Sequence, residues 1–236
     1  MSIKQKAIFT LKFLFAHHKI INMYWFESRT KCAQEEGINM ENVECQNEVV
    51  GRKAPGKEDV LSKMPTIDIQ SVYKEKYRDI KYIIAAEEDT QKVVDLVQNT
   101  ICLIYPRYYP IEVVSFFLNH HNEKNIREDI RNMHVWVITV DDKVVGTGSY
   151  INNHITRVYV SPNYQKNGFG NFIMQDLEDR IFNNYDNVTL DSSLPASMLY
   201  EKRGYRTMKH CQCSVENDAV LVYEIMKKQV DLHKAT

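Results

Sequence analysis

The stretch Tyr164–Asn171, with the sequence YQKNGFGN, holds the residues whose types and spacing most directly suggest chemistry. Asn-Gly is also the strongest two-residue signal for a β-hairpin, which would need a strand on each side. The upstream segment His154–Val160 alternates and is rich in β-branched residues, as a strand is. The downstream segment instead has apolar residues every three or four positions, which predicts an amphipathic helix. Those apolar residues are Phe169, Phe172, Ile173, Leu177, Ile181 and Phe182.

A strand, a glycine loop and a helix in this order favour the binding of an anion. The first turn of a helix has N–H groups without internal partners and carries about half a positive charge. Gly168 and Gly170 would let an anion approach those groups closely, and Lys166 adds a full charge. We therefore predict a phosphate-binding loop, with a tight structural connection as the alternative.

Two common phosphate-binding loops fit this stretch less well. In a P-loop the last glycine is followed by Lys and then by Ser or Thr. In this chain Gly170 is followed by Asn171 and Phe172. A dinucleotide-binding loop has a third glycine, where this chain has Ile173, although Asp191 stands near the usual acidic position. That loop also normally follows the first strand of its domain, whereas two or three strands are predicted before this one. The dinucleotide site is the weaker hypothesis.

Two motifs resemble those of the GNAT superfamily of N-acetyltransferases. The segment RVYVSPNYQKNGFGNFIMQDLE is similar to its acetyl-coenzyme A (acetyl-CoA) signature, a strand followed by V-x-P and Q/R-x-x-G-x-G/A. About 30 residues later, LDSSLPASMLYEKRGYRTMKH resembles the second signature, a polar loop followed by an apolar–Tyr pair and E-K-x-G-aromatic. The resemblance covers residues 80–228. It agrees with the predicted element order β-α-α-β-β-β-α-β-α-β-β, an α/β fold with a twisted mixed sheet flanked by helices.

The resemblance implies an acetyltransferase that uses acetyl-CoA. Backbone groups of Val158, Tyr159 and Val160 would pair with the pantetheine arm, and an N–H at about Val160 would face the thioester oxygen. Ser193, in the polar loop of the second motif, would also contact the cofactor. The pyrophosphate would lie on Gln165, Lys166, Asn167, Gly168, Phe169, Gly170 and Asn171.

The same resemblance implies catalytic residues. Tyr200 matches the tyrosine that often lies beside the cofactor sulfur, with an aromatic core residue as the alternative. A phenol near pKa 10 protonating a thiolate of pKa near 8.5 is uphill by about 2 kcal/mol, which one catalytic donor can offset. In many relatives a glutamate that acts as the general base stands where this chain has His154. His154 is therefore the predicted base, with Asp191 or water as alternatives. Lys166 also departs from the family, which commonly has glycine there.

The composition is that of an ordinary globular protein, with 44% hydrophobic and 26% charged residues among 236 and a net charge of −1. This charge gives no reason to expect nucleic acid or a membrane surface as a partner. The five cysteines lack zinc-site spacing, so we predict reduced thiols, no metal and a cytoplasmic location.

Three parts are predicted along the chain: an N-terminal, mostly helical segment (1–79), the acetyltransferase domain (80–228) and a C-terminal tail (229–236). Gly51–Asp59 has the composition of a linker. The apolar stretch Ile3–Phe26 predicts a helix that covers the domain or pairs two chains as a homodimer. Because every motif follows Ile80, residues 1–79 are predicted to be dispensable for the chemistry but not for solubility.

The leading hypothesis is therefore an N-acetyltransferase in which a small-molecule, N-terminal or lysine amine attacks acetyl-CoA directly. The alternative is a non-catalytic acyl-CoA sensor with the same fold. The segment Ile104–Glu112, with three tyrosines, could line the acceptor pocket or serve only for aromatic packing.

Overall fold

The computed structural model describes residues 68–73 and 75–229. The predicted helix Ile3–Phe26, the linker Gly51–Asp59 and the tail beyond residue 229 lie outside the described residues. The first elements are α1 (Ile69–Tyr73), β1 (Ile80–Ile84), α2 (Thr90–Ile104), α3 (Ile111–His120), α4 (Glu123–Arg131), β2 (Val135–Val140) and β3 (Lys143–Ile151). They are followed by β4 (His154–Val160), α5 (Phe169–Phe182), β5 (Asn187–Ser193), α6 (Ser197–Lys202), β6 (Arg206–Ser214) and β7 (Val220–Gln229).

The strands form one seven-stranded sheet in the order β1-β2-β3-β4-β5-β7-β6. Every neighbouring pair is antiparallel except β4 and β5, which run parallel. Helix α5 packs on one face of the sheet, and helices α2, α3 and α4 pack on the other. The predicted mixed α/β fold with helices flanking a mixed sheet is confirmed.

Strands β4 and β5 pair over a very short length. Only His154 with Thr189 and Ile155 with Leu190 are in register. The register between β3 and β4 then shifts, so that Thr156 is an extra residue on β4. Beyond this bulge β4 and β5 are no longer paired, which leaves a cleft in the middle of the sheet.

Two apolar cores lie on the two faces of the sheet. On one face Ile173 and Leu177 of α5 are completely buried against the sheet. On the other face Val93 and Val97 of α2 are completely buried together with Ile126 of α4. For α2 and α5 these are the positions that the three- and four-residue spacing of the apolar side chains predicts for buried helix faces.

Helix α4 was not predicted. It has only two buried apolar side chains, Ile126 and Ile130, one turn apart, and the rest of its surface is polar. Its start is fixed instead by Asn122, whose side chain accepts a hydrogen bond from the N–H of Asn125. A helix with so narrow an apolar stripe gives a weak periodic signal in the sequence.

Helix α1 lies before the predicted start of the domain, yet it packs on the same core. Ile69 is 3% exposed, and Tyr73 and Tyr77 contact the core from its edge. The division of the chain at residue 79 stays a prediction, but residues 69–77 are packed against the acetyltransferase domain. None of the helices in residues 68–73 and 75–229 is long and apolar enough to cross a bilayer.

Candidate active site

The backbone of β4 presents two of the three predicted residues to the cleft. The N–H of Ser161 donates to the carbonyl of Val145 on β3 at 2.9 Å. Backbone groups alternate in direction along a strand, so Tyr159, opposite Thr147, also bonds to β3. Val158 and Val160 therefore direct their N–H and C=O groups away from β3, toward the cleft. Tyr159 therefore directs its backbone groups to β3, and its predicted contact with the cofactor stays a prediction.

The glycine loop connects the end of β4 to the first turn of α5. Gly168 has φ of +88°, in the left-handed region that suits glycine, and α5 begins at the next residue. The first hydrogen bond of the helix runs from the N–H of Phe172 to the carbonyl of Gly168 at 2.9 Å. The N–H groups of Phe169, Gly170 and Asn171 precede it and have no partner within the helix. The loop thus joins a strand to the start of a helix, as the sequence indicates, and binding of an anion there stays a prediction.

The side chains of the loop are held by the loop itself. Gln165 donates through Nε2 to the carbonyl of Val160 at 3.0 Å, and Asn167 donates through Nδ2 to the carbonyl of Tyr164 at 3.1 Å. Phe169 is 1% exposed as a residue, so its side chain is closed to a ligand. Lys166 is exposed and has φ of +62°. A non-glycine residue in this region costs about 1–2 kcal/mol, which explains why relatives commonly have glycine there.

Two tyrosine hydroxyls and a serine lie close together where β4 and β5 separate, with Tyr200 nearby. The hydroxyls of Tyr105 and Tyr159 are 3.2 Å apart, and Tyr105 lies 3.5 Å from Oγ of Ser193. Burial, and then the nearby Tyr105, raise the pKa of Tyr200 well above that of a free tyrosine. Tyr200 therefore keeps its proton and is a weaker acid than the reference pKa suggests. The predicted residues Tyr200 and Ser193 are brought to the same place, beside the side chain of Tyr159.

The segment Ile104–Glu112 both packs and lines the cleft. Tyr105 and Tyr109 are 8% and 7% exposed, and their rings lie 5.8 Å apart. The hydroxyl of Tyr109 accepts a hydrogen bond from the N–H of Leu194 at 2.7 Å and donates one to the carbonyl of Val222 at 3.2 Å. Burial raises the pKa of Tyr109 to about 12. This tyrosine fixes the segment to the loop after β5 and to β7.

The two candidate bases, His154 and Asp191, lie at different positions along the neighbouring strands β4 and β5. His154 stands at the paired end of β4, with Nδ1 3.0 Å from Oγ1 of Thr189. It is six residues from Val160, roughly 20 Å along an extended strand. Asp191 directly follows Leu190, the last residue of β5 that pairs with β4, and is half-buried. Asp191 thus lies at the point where β5 separates from β4, with both carboxylate oxygens buried, whereas His154 lies in the paired part of β4.

A buried ion-pair network links the two helices that carry the predicted site. Glu178 of α5 is 1% exposed and receives Nε of Arg203 and Nζ of Lys228, each at 2.8 Å. Arg203, which directly follows α6, also donates to Oδ1 of Asn171 in the first turn of α5. The helix that carries Tyr200 is thereby fixed to the start of α5. Apart from the charges of these residues, nothing in the sequence indicates this network.

In the part of the chain that the structure covers, no group of three or more His, Cys, Asp or Glu side chains is arranged to hold a metal ion. Cys102, Cys211 and Cys213 form no disulfide with one another.

Comparison with known proteins gives the same fold. The family model described as an acetyltransferase (GNAT) domain matches residues 104–224. The uncharacterised N-acetyltransferase YafP of Escherichia coli strain K12 is 22% identical over 121 residues, which are 51% of this chain and 77% of YafP.

Solved structures agree with these matches. A GCN5-related N-acetyltransferase from Rhodopseudomonas palustris superposes with a TM-score of 0.58 at 20% identity, over 64% of this chain and 95% of that one. The structure of yncA from Salmonella typhimurium with acetyl-CoA has a TM-score of 0.51 at 16% identity, over 67% and 98% of the two chains. Because the family model covers more than half of the sequence, this protein belongs to the GNAT acetyltransferase family, which confirms the predicted acyltransferase that uses acetyl-CoA.

Proposed function

We propose that this protein transfers the acetyl group of acetyl-CoA to a primary amine by direct attack of the amine on the thioester. The observation that carries the proposal is the cleft between β4 and β5. It has the glycine loop and the first turn of α5 at one end and Tyr200 beside it, with Val158 and Val160 along one edge. The acetyl-CoA bound in yncA and the coenzyme A bound in the PaiA N-acetyltransferase of Thermoplasma acidophilum support the choice of donor.

The cleft has the groups needed to bind such a donor. The N–H groups of Phe169, Gly170 and Asn171 would hold the pyrophosphate at the positive end of α5. Val158 and Val160 would pair with the amides of the pantetheine arm as a neighbouring strand would. Ser193 would contact the arm from the opposite edge of the cleft, at the end of β5.

Direct transfer forms a bond from the amine nitrogen to the carbonyl carbon and breaks the carbon–sulfur bond, so negative charge develops first on oxygen and then on sulfur. A backbone N–H on the cleft edge of β4 would donate to that oxygen. The hydroxyl of Tyr200 would donate to the leaving thiolate. Since burial raises the pKa of Tyr200, we assign it a hydrogen bond to sulfur, with water completing the proton transfer.

The acceptor must lose a proton to attack. At pH 7.4 only about one lysine-like amine in a thousand is neutral, a cost of about 4 kcal/mol that a base in the cleft would reduce. We favour Asp191 over His154 because Asp191 lies where β4 and β5 have separated. The acceptor class remains broad: a small-molecule amine, or an N-terminal or lysine amine of a peptide or protein.

The direct test is thiol release from acetyl-CoA with a panel of these three classes of amine, and mass spectrometry to detect the acetylated product. Turnover that saturates with one class supports the proposal. Reactions without acceptor, and with acceptor but no protein, correct for hydrolysis and for chemical acetylation. Saturable binding of acetyl-CoA with no acetylated product from any class would instead support the sensor hypothesis.

A further inference from the structure

The segment Ile69–Tyr77 lies directly on the glycine loop, although it precedes the region that matches the family model. The ring of Tyr73 contacts that of Phe169 edge to face, with centroids 5.0 Å apart. The ring of Tyr77 lies 5.4 Å from Phe169 and 6.5 Å from Tyr164. These contacts bring a short piece of chain from outside residues 104–224 to the predicted pyrophosphate site.

The same segment brings a cation to the loop. The N–H of Lys76 donates to the carbonyl of Tyr73 at 2.9 Å, which closes a turn after α1. From this turn Nζ of Lys76 reaches Oδ1 of Asn167 at 2.5 Å, at the middle of the glycine loop. Because Nδ2 of Asn167 is already bonded to the carbonyl of Tyr164, its oxygen is fixed in the direction of Lys76.

Lys76 has a hydrogen bond but no ion pair in the part of the chain that the structure describes. Within residues 68–73 and 75–229 its ammonium has no carboxylate within ion-pair distance, whereas Lys81 and Lys92 each pair with an aspartate. An ammonium has three donors and Asn167 uses one of them. Two N–H donors of this exposed cation remain next to the glycine loop, and its Nζ lies 5.7 Å from the centroid of the Tyr77 ring.

We propose that Lys76 is a further binding residue for acetyl-CoA, and that its ammonium pairs with the pyrophosphate. The inference rests on the proposed function, since it requires the pyrophosphate to lie on the glycine loop. Together with Lys166 on the loop, it gives the two phosphates of the donor two lysines in addition to the backbone N–H groups. It also gives residues 69–77 a role in binding the donor.

The test is calorimetric binding of coenzyme A and of dephospho-coenzyme A, which keeps the pyrophosphate but lacks the 3′-phosphate. We expect Lys76→Met to raise the Kd of both ligands equally, by about three- to tenfold. This is the range for loss of a partly exposed hydrogen bond to a charged group. Lys76→Arg keeps the charge and should bind both nearly as tightly as the unmodified protein. The loss should shrink at high salt, because the contact is exposed.

Lys81→Met is the matched control, since it removes an equally exposed lysine from strand β1. Unchanged affinity in Lys76→Met would overturn the inference while leaving the proposed function intact. If Lys76→Met weakens the binding of coenzyme A but not of dephospho-coenzyme A, Lys76 contacts the 3′-phosphate, and the proposed contact with the pyrophosphate is wrong. If Lys76→Arg binds as weakly as Lys76→Met, the segment acts through packing and the proposal is wrong. If the unmodified protein binds neither ligand, it is the proposed function that fails.

Discussion

Replacing each of the two loop glycines by alanine should affect stability in opposite directions. Gly168 has φ of +88°, and a Cβ there would lie 2.8 Å from the hydroxyl of Tyr73. Gly170 lies in the first turn of α5, and a Cβ there would meet only Cγ2 of Val160, at an ordinary 3.8 Å. Glycine is therefore required at position 168 for the backbone conformation. At position 170 a larger residue would fit without a steric clash in the free protein.

The magnitudes follow from these geometries. Alanine in the left-handed region costs about 1–2 kcal/mol, of which about 0.4–1 kcal/mol is offset by the reduced entropy of the unfolded chain. A net loss of about 1 kcal/mol for Gly168→Ala would lower Tm by about 2–4 °C in a domain of this size. Gly170→Ala should instead gain about 0.5 kcal/mol or more, because alanine is the better helix residue.

Substitutions at Gly168 and Gly170 should also differ in their effect on the binding of coenzyme A. Gly168→Ala should weaken the binding of coenzyme A at least tenfold. The reason is that a change in φ at residue 168 turns the N–H groups of Phe169 to Asn171 away from the anion. Gly170→Ala should bind normally, since the family motif allows alanine there, while Gly170→Val places methyl groups in the path of the phosphates. Thermal denaturation and calorimetry of the three variants test this reasoning. Equal Tm shifts for the two alanine variants, or normal binding by Gly170→Val, would refute it.

Three other predictions concern rate and pH. Tyr200→Phe keeps the ring and should lower turnover by about ten- to a thousandfold with little change in the Kd for coenzyme A; unchanged turnover would make Tyr200 a core residue only. Asp191→Asn should remove the basic group from the pH profile of kcat/KM and His154→Ala should not, and the opposite result would assign the base to His154. Burial and then Arg157 lower the pKa of His121 well below its usual value, so the folded protein keeps His121 neutral while the unfolded chain takes up a proton below about pH 6.5. The free energy of unfolding should therefore be fully retained above that pH and fall by up to about 1.4 kcal/mol per pH unit below it, and His121→Gln should flatten this slope in urea denaturation at pH 7.5 and 5.5.

The sequence predicted the features that depend on local pattern. The glycine loop, α5 and the alternating strand β4 are each specified by residues within a few positions of one another. The placement of Asp191 at the separated end of β5 also followed from strand order. Both kinds of inference need only periodicity and motif spacing.

The features that the sequence did not predict depend on register or on distant contacts. Whether Tyr159 turns its backbone to the cleft is decided by its pairing with Thr147, which a single strand does not encode. The contact between Lys76 and Asn167 joins residues 91 positions apart. The raised pKa of Tyr200 comes from burial and from Tyr105, which neither motif contains.

The brief pairing of β4 with β5 has a consequence for the cohesion of the whole sheet. It leaves two antiparallel halves, β1 to β4 and β5 to β6, in register at only two residue pairs. A donor whose pantetheine arm bonds to Val158 and Val160 would add backbone-like hydrogen bonds along this junction. The amides there should exchange with deuterium quickly in the free protein and slowly in the complex. At a ligand concentration of 100 Kd the complex gains about 2.7 kcal/mol, so the cellular level of acetyl-CoA would help determine how long the folded protein survives.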